Sequence, residues 1–378
     1  MRFVMFYHSL ISDWNHGNAH FLRGVARNLL RRGHQVTVHE PADGWSRANL
    51  LADHGPAPLA AFAAAYPELA GASRAYDDPA RLDLDAALEG ADVVVVHEWT
   101  APELVRRLGR HRRAGGRPVL LFHDTHHRAL SDPDALNACD LSGYDGVLAF
   151  GRSLRDVYLA RGWARRAWTW HEAADADLFQ PRPAPLEGDL VWIGNWGDGE
   201  RTAELEEFLI APVRALGLSA AVYGVRYPPA ARAALADAGI AYLGWLPNFE
   251  VPSVFARFRV TVHVPRRPYT EALPGIPTIR PFEALACGIP LVSAPWRDDE
   301  RLFTAGGDYL LARDGAEMRR HLRAVLDDGA LATRLSAHGR RTIAARHTCA
   351  HRVDELLQIV ALARAGGGRL APELEAAS

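Results

Sequence analysis

Residues 275–296 read GIPTIRPFEALACGIPLVSAPW. Glu283 is expected to open a short helix between two apolar strands, near the positive helix end, where a carboxylate suits sugar or ribose hydroxyls. The loop YTEALPG at 269–275 leads in, and Gly288 closes the helix before the strand LVSAP resumes. The order is strand, loop, carboxylate-bearing helix, turn, strand. The plain alternative is a surface glutamate steadying a helix start by up to about 1 kcal/mol.

Working outward, the same alternation covers the chain. Short β-branched or apolar runs fall at 2–8, 35–40, 92–98, 118–124 and 146–150, then at 190–194, 220–226, 260–264 and 290–294, with longer helical patterns between them. That rhythm predicts an α/β protein with parallel sheets. At 378 residues and 48% hydrophobic content, two domains are expected. The polar, proline-rich stretch FQPRPAPLEGD at 179–189 suits a linker, and the alanine-rich 56–75 suits helices covering the first sheet. The expected organisation is a domain over 1–178, the linker, a second domain over 190–349, and a closing segment over 350–378, whose end from 366 is expected to be flexible.

Composition excludes several chemistries. All 43 basic residues are arginine. Without lysine there is no Schiff base, no lysine-bound pyridoxal phosphate and no Walker lysine. A bound phosphate must be held by arginines, backbone N–H groups or helix N-termini. GC-rich coding explains the bias equally well and leaves the exclusion intact. A net charge of −2 offers nucleic acid no domain-wide basic footprint. Three cysteines, Cys139, Cys287 and Cys349, are too few and too scattered for a disulfide framework or a zinc ribbon. No signal sequence and no long apolar run are read, so a cytoplasmic protein is expected.

Ligands of open α/β sheets sit beyond the carboxyl ends of the strands. In the first half, Gly17 and Asn18 lie where a loop enters a helix, so that a ligand can approach backbone N–H groups; a plain polar turn capped by Asn18 is the alternative. His97 leaves a buried strand, as a site residue or as a satisfied core histidine. His123 and Asp124, in His-Asp-Thr-His-His at 123–127, are candidates to orient or deprotonate an acceptor. Imidazole and carboxylate also suit zinc, but no His-Glu-x-x-His spacing is present and no metal is expected. His171 to Asp175 sits at the domain junction. In the second half, GNWGDGER at 194–201 has the glycines and helix start that suit a diphosphate, although Asp198 and Glu200 must turn away. Arg201, Arg226 and Arg280 are the available cations. Arginines at 23, 27, 31 and 32 and between 106 and 117 form basic faces, solvated or lying against anionic lipid.

The run Arg280 to Gly288 resembles the Arg-Pro-Phe-Glu-Ala-x-Ala-x-Gly of the two-domain GT-B glycosyltransferases, most closely the subgroup related to spore-maturation protein CgeB. His347, Thr348 and Arg352 are similar to that subgroup's closing helices. The resemblance implies two Rossmann-like domains facing across a cleft, a nucleoside diphosphate sugar in the second and an acceptor in the first, with the last helices crossing back to the first. It further implies that His97, in a run similar to the His-Glu-x-x-Ala-Pro of mannosyltransferases, contacts the donor sugar. By the same likeness Gly17 and Asn18 face the donor phosphate, Trp245 and Leu246 hold the base, Arg201, Arg226 and Arg280 neutralise the diphosphate, and Glu283 binds the ribose.

One departure stands out. Family 4 relatives carry a second glutamate eight positions before the first, and here that position is Gly275, with Glu271 the nearest replacement. The expected activity is metal-independent transfer of a sugar to an acceptor hydroxyl, on a glycan, a lipid carrier or a small molecule, in the cytoplasm or at the inner membrane face. The alternatives are a GT-B epimerase or hydrolase, and a non-catalytic sugar-nucleotide-binding protein.

Overall fold

The computed structural model describes residues 1–197 and 199–365, so Asp198 and the tail from 366, expected to be flexible, lie outside the described residues. Two compact units divide the chain: Met1–Glu172 with the described residues from Cys349 onward, and Ala173–Thr348. Residues 181–187 of the proline-rich stretch carry no helix or strand.

The first unit holds seven parallel strands: β1 (Arg2–Phe6), β2 (Gln35–Pro41), β3 (Ser73–Tyr76), β4 (Val93–His97), β5 (Val119–Asp124), β6 (Gly146–Ala149) and β7 (Ala167–Thr169). Their order is β3-β2-β1-β4-β5-β6-β7. The four valines and His97 of β4 are all buried, as a central strand covered on both faces requires. Ser73–Tyr76 corrects the expectation of helices throughout 56–75. Only Ala57–Ala65 is helical there apart from a turn, and the four residues after Ala72 pair with β2 at the sheet edge. A strand so short leaves no periodic signature.

The helix Cys349–Arg364 packs against the helix Ala19–Arg31. Arg32 reaches the Ala350 carbonyl at 3.0 Å and the Asp354 carboxylate at 3.1 Å, and the Trp170 indole N–H donates to the Arg352 carbonyl at 2.9 Å.

The second unit holds β8 (Gly188–Ile193), β9 (Ala220–Tyr223), β10 (Ile240–Tyr242), β11 (Phe258–His263), β12 (Leu291–Ser293) and β13 (Leu310–Leu311), ordered β10-β9-β8-β11-β12-β13 and parallel throughout. Period-two alternation feeds a core on each face: Leu190 and Trp192 join one apolar cluster, Val191 and Ile193 the other. Gly288, left-handed at φ 70°, ends the helix Ile279–Cys287.

The first unit depends on one close backbone approach. The turn Leu141–Gly143 lies on the helix Pro102–Arg113, and a Cβ on Gly143 would stand 2.7 Å from the Cα of Gly109 and overlap its carbonyl. Neither backbone can yield cheaply, so Gly143→Ala is expected to cost about 1–3 kcal/mol, read as a lower denaturant midpoint. An unchanged midpoint would mean that this contact is loose.

Candidate functional site

In each sheet the strand order reverses once, between β1 and β4 and between β8 and β11. Outside the carboxyl ends of strands at such a reversal, the diverging loops leave a crevice for ligand. Several of the chemistry-bearing side chains of each unit lie near its own reversal.

In the second unit, Arg201 staples the two diverging loops. Its Nη1 donates to the Val264 carbonyl beyond β11 at 2.8 Å, and its Nη2 to the Asn195 carbonyl beyond β8 at 2.5 Å. The guanidinium lies over the Trp192 ring at 5.1 Å. Its Nε is buried without a hydrogen-bond partner. Gly197, at φ 92°, stands directly beside it: the Cβ position of Gly197 is 3.1 Å from Arg201 Nε and 3.5 Å from Arg266 Nε. Burial first, then the neighbouring Arg266 and, more weakly, Arg280, push Arg201 down to about 9. Positive charge is concentrated where a strand meets a glycine-containing loop. Glu200 is turned aside onto Arg266 at 3.0 Å.

Glu283 is the fifth residue of the helix Ile279–Cys287, with no acidic residue in the first turn. The expected placement beside the helix N-terminus is therefore corrected. Proline is accommodated in a helix's first turn, so the helix begins before Pro281 and Glu283 falls one turn in. Its carboxylate is fully buried, paired with Arg280 and accepting from the Asn248 amide at 2.8 Å. Asn248 closely follows Trp245 and Leu246, both half-buried, so the expected base-binding turn and the carboxylate share one cluster. Gly275 does sit where a second glutamate was sought, at φ 91°, but Glu271 is exposed. The carboxylate over Gly275 belongs to Glu300, with an oxygen 3.0 Å from the glycine's Cβ position. Arg226 is exposed, at φ 62°. It lines a cavity of about 1130 Å³ with Trp196, Tyr227 and Arg267, and this cavity includes none of the other expected donor residues.

In the first unit, His97 and His123 are fully buried at the ends of β4 and β5. Tyr7, just past β1, links them: its hydroxyl is 2.6 Å from His123 Nδ1, and its ring stacks on His97 at 4.7 Å. His97 Nε2 meets Thr125 Oγ1 at 3.0 Å, and Trp170 covers His123 edge-on. His97 Nδ1 and His123 Nε2 have no hydrogen-bond partner. Burial drives both imidazoles down, His123 to about 3. Asp124, fully buried, accepts from the Tyr158 hydroxyl at 2.6 Å and the His126 N–H at 2.9 Å, yet burial still raises it to about 6. Buried Glu98 beside it is raised further by burial and by Asp124, and pairs with Arg128 at 3.2 Å. Gly17 is exposed at the loop after β1; Asn18, buried, begins the next helix without a side-chain cap and donates its amide to Glu172 at 3.3 Å. Among the described residues, no group of three or more His, Cys, Asp or Glu side chains is arranged to hold a metal ion.

The basic faces are largely occupied internally. Arg23 is buried, holding the Leu10 and Ile11 carbonyls and Asp13, so it is no surface residue. Arg106, Arg107 and Arg112 donate to backbone carbonyls. No described helix is long and apolar enough to cross a membrane.

Residues 201–358 match the family described as Glycosyl transferase-like. The two parallel sheets have the GT-B fold. The chain's fold matches HepE of Anabaena, solved with UDP-glucose, at a TM-score of 0.69 and 13% identity, covering 96% of this chain and 99% of that one. Sucrose-phosphate synthase of Thermosynechococcus elongatus aligns at 0.65 and 14%, covering 97% and 100%, and T4 phage BGT, solved with UDP and Mn2+, at 0.61 and 10%, covering 95% and 99%. None of the curated proteins matches the sequence.

Sequence reasoning passed over Tyr7, His8, Asn248, Arg266 and Glu300. Tyr7 and His8 were read as the end of a strand. Arg266 and Glu300 carry no motif, and only the fold brings them to Gly197 and Gly275.

Proposed function

We propose that the second unit holds a nucleoside diphosphate sugar at the β8/β11 reversal and that the first unit presents the acceptor hydroxyl at the β1/β4 reversal. The observation that carries this is the pair of guanidiniums at Gly197. A glycine leaves room for a ligand's phosphates to approach, and the buried, unpartnered Nε of Arg201 is a donor awaiting an acceptor atom. Leaving-group charge is stabilised by such preorganised donors. Arg201, Arg266 and Arg280 supply it without a metal. Glu283, with Asn248 and the Trp245–Leu246 turn, binds the ribose and base.

Asp124 suits the acceptor's proton better than His123. A base works best when it titrates near the operating pH, and Asp124 stands at about 6 whereas His123 stands at about 3. His97 remains the candidate contact for the donor sugar. A lipid surface forms no part of this assignment, since several of the arginines that would meet one are occupied within the protein.

The test is thermal shift with UDP, GDP, ADP, dTDP and CDP, with and without EDTA, because a ligand that prefers the native state raises apparent stability. The expected result is a shift with one nucleotide that EDTA does not remove. A shift abolished by EDTA would overturn metal independence. No shift with any, confirmed by calorimetry, would favour the non-catalytic reading.

A further inference from the structure

The chain has ten tryptophans, and among the described residues two rank as exposed: Trp45 at 44% and Trp99 at 45%. They are far apart in sequence yet flank one side chain. The His8 ring, just beyond β1, lies 6.1 Å from the Trp45 ring and 6.4 Å from the Trp99 ring. Both indoles therefore stand at the β1/β4 reversal, beside the buried imidazoles. Burying Trp45 and Trp99 would gain the stability that large aromatic surfaces bring, so leaving both in water at one crevice calls for an occupant.

Each ring is held in place. Arg128 lies 4.5 Å over Trp99 while pairing with Glu98, and His126 meets Trp99 edge-on at 5.4 Å. Trp14 meets Trp45 edge-on at 5.1 Å, and its own N–H is fixed by Asp53 at 2.8 Å. Gly44 brings Trp45 close: a Cβ there would be 3.0 Å from the Pro41 ring and 3.4 Å from the His8 carbonyl. Two fixed aromatic plates thus border imidazole and guanidinium groups.

We infer that this platform receives a pyranose ring, so that the acceptor is itself a carbohydrate. A pyranose is amphipathic: its C–H face suits the electron-rich face of an indole, while its rim of hydroxyls needs donors and acceptors such as His8, His126 and Arg128. An alkyl chain would take those polar groups out of water and offer no hydrogen bond in return, which costs free energy. The inference rests on the acceptor-side assignment of the first unit.

The experiment uses the full chain with its stabilising nucleotide. Methyl hexopyranosides and unmodified disaccharides are offered as acceptors beside octanol, and transfer is followed by nucleoside diphosphate release above the acceptor-free rate. The variants are Trp99→Ala and Trp45→Ala, whose exposed side chains leave the core intact. Transfer to at least one saccharide is expected. Its kcat/KM is expected to fall about 10- to 100-fold in each variant, mainly through KM, with nucleotide thermal shift and acceptor-free donor hydrolysis unchanged. Trp99→Phe should recover part of the loss.

Transfer to octanol alone, no transfer to any saccharide, or unaltered saccharide kinetics in both alanine variants would each overturn the carbohydrate assignment while the donor site stands. Absence of nucleotide binding in the unmodified protein would instead bring down the function on which it rests.

Discussion

Glu283→Ala is expected to lower the unfolding free energy by about 3–5 kcal/mol, the usual cost of removing one partner from a buried ion pair, and to abolish the nucleotide-induced thermal shift. The carboxylate is fully buried, and it neutralises Arg280 while accepting from Asn248. Without it, Arg280 becomes an uncompensated charge close enough to Arg201 to depress it. Glu283→Gln keeps an acceptor for Asn248 and should cost less. The double variant Glu283→Ala with Arg280→Ala should recover part of the loss, because no orphaned charge remains. Denaturant unfolding reads the first effect and nucleotide titration the second. A Glu283→Ala protein that unfolds normally and still binds nucleotide would remove Glu283 from both roles.

Much of this arrangement was legible because it rests on local pattern. Runs such as VVVVH at 93–97, β-branched and short, read as buried strands, and the helix at 279–287 closed by Gly288 is written in its flanking residues. The short strands Ser73–Tyr76, Ala167–Thr169, Ile240–Tyr242 and Leu310–Leu311 were not read, since two to four residues offer no periodicity. For the site, side chains at strand exits could be named, but their company could not. Arg201 and Arg266 stand far apart in sequence and converge only because β8 and β11 are neighbours. Likewise Tyr7 reaches His123 only because β1, β4 and β5 lie side by side. Sequence spacing has no term for such meetings, and the same gap left Glu300 unseen over Gly275.

The buried imidazoles should make the protein acid-sensitive well above the range where ordinary carboxylates titrate. Burial is the main cause that lowers His16, His97 and His123, so the native state holds them neutral while the unfolded chain takes up protons below about 6.5. Folded values below unfolded ones mean stability that is fully present above pH 6.5 and is lost as the pH falls towards the folded values. At pH 5 each such histidine withdraws about 2 kcal/mol, since each pH unit below 6.5 is worth about 1.4 kcal/mol per proton.

Two neighbours act with the opposite sign. Asp124, raised to about 6, and Glu98, raised further, hold protons in the native state that the unfolded chain releases. They contribute stability at low pH that disappears as the pH climbs from about 4 through their folded values, and so offset part of the histidine effect between pH 7 and 5. With His8 and His39 also depressed, each to about 4, the imidazoles outnumber the carboxyls. The net expectation is a denaturation midpoint that falls moderately from pH 7 to 5 and steeply below about 4.5, once the unfolded carboxyls take up protons as well and their offset ends. His97→Gln should flatten the profile by about one proton, and Asp124→Asn should steepen it between pH 7 and 5. A wild-type midpoint that is flat down to pH 4, or a His97→Gln profile parallel to it, would mean that these imidazoles charge within the folded protein and that the cluster is open to water.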